Sequence, residues 1–173
     1  MFGAYDNFPE IYHSISRFSH KASAKRLQRV VIQSLYKLNR NKDGPSLPEF
    51  TKYNIEVELE LGIADGLTFN FIDKDISRDC QERILRRAFP TLDFLCIVRY
   101  YAVEGKRRNS LRFDYHMLRF LFEEKEVELQ VYHERGTRRL PIDELVNFLV
   151  GKINHELTRK KLSTLKKNYM RTV

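Results

Sequence analysis

Between residues 54 and 63 apolar and polar side chains alternate strictly. Ile55, Val57, Leu59, Leu61 and Ile63 are interleaved with Asn54, Glu56, Glu58 and Glu60. A period of two predicts an antiparallel strand with one buried and one wet face. Residues 11–18 alternate less strictly and predict an earlier strand. Between the two, Ala24, Leu27, Val31, Leu35 and Leu38 recur at helical spacing, so residues 23–39 read as a helix. Ser23 suits its N-cap, and Lys25, Arg26, Arg29 and Lys37 stay outside the apolar stripe. Residues 41–48, with Gly44, Pro45 and Pro48, read as a loop. Further on, the pattern gives a strand at 67–72, a helix at 77–89 ended by Pro90, and a nearly continuous apolar strand at 94–103. A basic loop at 105–110 precedes two more strands, 111–122 and 127–135. Pro141 opens a last helix, with Asp143 and Glu144 favourable at its positive end.

Register can be argued from the same alternation, because a slip of one residue turns every side chain to the other face. A three-residue loop at 64–66 sets Ile63, Leu61 and Leu59 opposite Leu67, Phe69 and Phe71, leaving one apolar face. Gly66 then takes the left-handed position such loops require. Pairing Phe122 with Val127 aligns Phe120 with Leu129 and Leu118 with Val131. The same ladder sets His116 opposite His133 and Asp114 opposite Arg135. Pairing Val103 with Leu111 brings Val98 and Tyr100 alongside.

The order strand, helix, strand, strand, helix, strand over residues 10–103 is that of the ferredoxin-like fold. The expected class is therefore α+β: a ferredoxin-like βαββαβ unit extended by ββα. Two strands added beyond the fourth of the 4-1-3-2 order give a largely antiparallel six-stranded sheet with helices on one face. Residues 8–157 form a single domain in this reading. Residues 158–173 are a basic helical extension or tail, because Leu162 lies about 180° around the helix from the stripe of Ile142, Leu145, Leu149, Ile153 and Leu157.

Length and composition agree with one domain: 173 residues, 42% hydrophobic, suffice for a real core. No apolar run approaches the roughly 18 residues of a membrane span, and the N-terminus lacks the pattern of a secretion signal. Cys80 and Cys96, both at apolar positions, read as small buried thiols suited to a reducing cytoplasm. The charge is uneven. Residues 1–104 carry 15 Lys and Arg against 14 Asp and Glu, whereas residues 105–173 carry 16 against 9, which is nearly all of the +8 excess.

That asymmetry points to polyanions. The leading expectation is a non-catalytic nucleic-acid-binding or accessory protein. Its contacts would come from Lys106, Arg107 and Arg108, from Arg138 and Arg139, and from Lys160, Lys161, Lys166 and Lys167. An acidic protein partner, self-association or a scaffold role in a complex is the rival from another class. A third reading takes Tyr100, Asp114, His116, His133 and Arg135 as a polar pocket able to bind an anion, ligate a metal or do acid–base work as an enzyme. No cofactor and no metal are assigned, because phosphate-cradling, nucleophile-elbow and metalloprotease spacings are absent. The RNA-recognition motif shares the strand–helix order and stacks bases on its third strand. The register above turns Phe69 and Phe71 inward beside a wet face of Glu56, Glu58 and Glu60. Base stacking on this sheet is therefore not expected, and no family is assigned.

Overall fold

A computed structural model describes residues 1–40 and 54–173; the loop expected at 41–48 lies outside them. Among the described residues, three helices pack on one face of an eight-stranded antiparallel sheet. The elements are β1 (Ser14–Ser19), α1 (Ala24–Arg40), β2 (Ile55–Asp65), β3 (Thr68–Phe71), α2 (Lys74–Arg86) and β4 (Thr91–Glu104). Then come β5 (Arg107–Ser110), β6 (Asp114–Phe122), β7 (Glu126–Arg135), α3 (Ile142–Arg159) and β8 (Lys166–Thr172). The helix starts follow local chemistry. The Ser23 hydroxyl accepts the Arg26 amide at 3.3 Å, and the Asp73 carboxylate accepts the Ile76 amide at 2.8 Å. No helix among the described residues is long and apolar enough to cross a membrane.

The α+β class holds, but the strand order is β3-β2-β4-β6-β7-β1-β8, with β5 also on β4. The ferredoxin-like order would place β1 beside β4. Instead β2 takes that edge, pairing Ile55 to Leu61 with Ala102 to Cys96, and β1 lies between β7 and β8. The physical reason is length and locality. β2 aligns Val57, Leu59 and Leu61 with Tyr100, Val98 and Cys96, a longer apolar match than six-residue β1 offers. On the other edge of β4, a two-residue turn at Gly105 and Lys106 folds the chain straight back as β5. Short hairpins close at less entropic cost than distant pairings.

Two expected registers change. Asp65 pairs with Thr68 around a two-residue turn, so Phe69 and Phe71 face Ala64 and Gly62, away from the helices. The one-apolar-face assumption fails here because the N-terminal segment covers the outer face. The Gly3 amide bonds Ala64 O at 2.9 Å, Tyr5 packs on Phe69 with centroids 4.7 Å apart, and the Asp6 amide bonds Gly66 O at 2.8 Å. Further along, buried Asp93 accepts the Tyr5 amide at 2.7 Å and both ends of Arg119 at 2.8 Å, with Phe8 capping that guanidinium. In the second change Val103 pairs with Arg108, not Leu111; one extra residue between β5 and β6 then brings Asp114 opposite Val98.

The C-terminal residues are also not a helical extension. α3 ends at Arg159, the chain reverses through Lys160 and Lys161, and Leu165 returns to the core. Asn154 holds that return by accepting the Leu165 amide at 2.7 Å. β8 then closes the edge of β1.

Candidate functional site

Two places on this frame concentrate chemistry. The first lies on the helix-covered face, at the sheet end where β4 and β7 finish. Alternation brings Tyr100 from β4, Asp114 and His116 from β6 and His133 from β7 to one side. The ladder from Phe122–Val127 to His116–His133 is the expected one. Beyond it a bulge inserts Glu134, so Arg135 pairs with Tyr115 and points away, exposed. Arg135 therefore does not join the group. The loop 136–140 folds over it instead.

Asp114 is the hub. Its Oδ2 accepts the Tyr100 hydroxyl at 2.5 Å; its Oδ1 accepts the Arg138 amide at 2.8 Å and lies 2.9 Å from His133 Nε2. The Tyr100 oxygen in turn accepts the Leu140 amide at 2.8 Å. Burial alone would raise the Asp114 pKa, but the bonds from Tyr100, His133 and the Arg138 amide outweigh it and hold the carboxyl below its ordinary value. Burial, and then the bond to Asp114, pushes the Tyr100 phenol up, so it stays a donor. His13, from the segment before β1, accepts the His133 amide at 2.9 Å on Nδ1 and stacks on Tyr132.

His116 is different. It is 0% exposed, its ring lies 4.9 Å from that of His133, and neither ring nitrogen has a hydrogen-bond partner. Burial and the neighbouring His133 push its pKa down to about 4, so the ring is neutral at physiological pH. The donor atoms of Asp114, His116 and His133 all lie within 4.8 Å of one another. The thiols of Cys80 and Cys96 offer no comparable chemistry: burial pushes each up to about 12.

The second place is cationic. The nine basic residues named as contacts divide between two ends of the molecule. Lys106 and Arg107 are exposed near the β4–β5 turn, and Arg138 and Arg139 lie in the loop at that same end. Arg108 is engaged: it reaches Glu56 at 2.8 Å and Glu58 at 3.1 Å and covers the Tyr101 ring. Arg99 likewise pairs with Glu60 at 3.0 Å. The three glutamates of β2 are thus neutralised rather than bare. Lys160, Lys161 and Lys166 follow the other end of α3, an 18-residue helix about 27 Å long. Lys167 sits beside them, held by the Asn147 side chain at 3.1 Å.

At that far end Lys160 meets two residues absent from the expected set, Arg26 and Arg29 of α1. The three line a hollow of about 400 Å³ over Val30 and Leu162. A second hollow of about 370 Å³, edged by Lys21, Lys166 and Thr164, opens at the same end. Among the described residues, none of Lys21, Arg26, Arg29, Lys160, Lys161 and Lys166 pairs with a carboxylate. The sequence did carry a signal for this. Residues 24–40 contain five Lys or Arg and no Asp or Glu, which the near-zero net of residues 1–104 conceals. Compared with known proteins, the chain matches no family, no curated protein and no solved structure.

Proposed function

We propose that this protein is a non-catalytic nucleic-acid-binding protein. Its contact surface would be the corner where the start of α1 meets the end of α3 and the start of β8. The observation that carries this reading is the set Arg26, Arg29 and Lys160 around one hollow, with Lys21, Lys161 and Lys166 adjoining and no carboxylate among the described residues paired to any of them. Cations spread over one corner, with the Arg29 guanidinium oriented by the Gln81 side chain at 2.8 Å, suit successive phosphates of a backbone, which each release counterions on binding. Arginine adds a planar fork matched to phosphate oxygens. No base-reading element is invoked, so affinity is expected to depend little on sequence and strongly on salt.

Fluorescence anisotropy with single- and double-stranded RNA and DNA at two salt concentrations tests the reading. We expect binding at low salt that weakens as salt rises. Arg26→Glu combined with Arg29→Glu and Lys160→Glu should lower affinity at least tenfold. Absence of binding at low salt, or a triple variant that binds like the parent, would overturn it. Equal affinity for an acidic polypeptide would instead assign an acidic protein partner.

A further inference from the structure

We infer that Asp114, His116 and His133 form a binding site for a divalent transition metal of the zinc type. Two observations lead there independently. One is the donor set itself: two imidazoles and a carboxylate, from two adjacent strands, with donor atoms within 4.8 Å of one another. It is the one such group among the described residues.

The other observation is His116. A hydrogen-bonded polar cluster accounts for Asp114, Tyr100 and His133, each of which has partners. It does not account for an imidazole that is 0% exposed with both nitrogens unpartnered. Burying polar atoms without partners carries a desolvation penalty that an apolar side chain of similar size avoids. Leucine or phenylalanine would fill the same position on this face, as Leu118 and Phe120 do on the same strand. An ion bound by His116 removes the anomaly.

The chemistry selects the class of ion. Two nitrogens and one oxygen suit zinc and its neighbours, whereas calcium and magnesium demand mainly oxygen ligands. Zinc–ligand bonds of about 2.0–2.2 Å put tetrahedral donors about 3.4 Å apart, so the site closes by small ring movements. The Tyr100 hydroxyl and the Arg138 amide already orient the carboxylate from outside, as supporting groups around metal ligands do. An ion there would fasten the loop 136–140 and the β6–β7 bulge to the end of the sheet.

The test uses the full chain, stripped of metal and titrated calorimetrically with Zn²⁺, and with Co²⁺ as a spectroscopic stand-in. We expect one ion per chain and visible bands of a four-coordinate Co²⁺ centre. His116→Leu removes a ligand and should weaken binding by at least the roughly 10–100-fold that loss of a mere supporting group costs. The same change should leave the metal-free protein as stable as before or more so, because it removes no hydrogen bond. X-ray absorption on the zinc-loaded parent needs no variant, and should show two imidazoles, oxygen and no sulfur. Lack of zinc binding, binding undiminished in His116→Leu, or a sulfur ligand would each overturn the assignment.

Discussion

Gly136 shows how tightly the loop over Asp114 is fitted. Its φ is +119°, and a Cβ there would overlap Asp114 Oδ1 and come within 2.5 Å of the Phe113 carbonyl. Gly136→Ala should therefore cost about 2–3 kcal/mol in urea unfolding. Gly151→Ala, on an open side of α3, should stabilise by about 0.5–1 kcal/mol; equal effects at the two positions would contradict this account. A second residue-scale prediction concerns acid. Burial would raise the Glu156 pKa, but Lys37 at 2.7 Å and Arg159 at 3.1 Å outweigh it and hold the carboxyl below its ordinary value. Its folded value lies below the unfolded one, so its contribution is present above about pH 4.3 and is lost as pH falls through the folded value. Melting temperature should thus fall less steeply on acidification in Glu156→Gln than in the parent. Parallel acid limbs would show that Glu156 contributes nothing there. This ion pair was not legible in the sequence, since Glu156 and Lys37 are 119 residues apart.

At the scale of elements, hairpins were more legible than edges. The β6–β7 register follows from alternation and a short loop alone. The β2–β3 register does not, because residues 1–6 supply a second apolar environment over Ala64. β8 was the least legible. Its burial hardly alternates, and the spacing of Leu162 and Leu165 mimics a helix. The half-turn mismatch between the two stripes did mark where α3 ends. That the following residues become a strand depends on the free edge of β1. Deleting residues 166–173 would leave that edge unpaired, and exposed edges recruit other strands. We expect a lower melting temperature and concentration-dependent oligomers by light scattering. A monomeric truncation of unchanged stability would mean that β8 is dispensable.

On the whole-molecule scale, charge belongs to corners rather than to sequence halves. The excess of cations after residue 104 is real, yet α3 carries it to two ends of the molecule, and α1 completes one of them. Arg26→Glu with Arg29→Glu should reduce the slope of log affinity against log salt by about one for each phosphate left without its cation. Lys106→Glu with Arg107→Glu should change that slope less. The reverse ranking would move the binding surface to the β4–β5 turn. Ion pairing explains part of the ranking: Arg108, next to that turn, is occupied by Glu56 and Glu58.

Within one strand or helix the sequence alone determined which side chains share a face, because strand and helix periods are set by steric rules a few residues long. With the short β6–β7 loop it also sets His116 opposite His133, and it hides Cys80 and Cys96. The alignment of Tyr100 with Asp114 waited on the β4 pairing, which shifts from Val103–Leu111 to Val103–Arg108. Only the tertiary structure decided which edge each strand joins, where Phe69 points, that residues 166–172 form a strand, and that Arg26 and Arg29 stand beside Lys160. Those outcomes depend on competition among distant segments for the same edges and surfaces. Alternation along one segment carries no record of that competition.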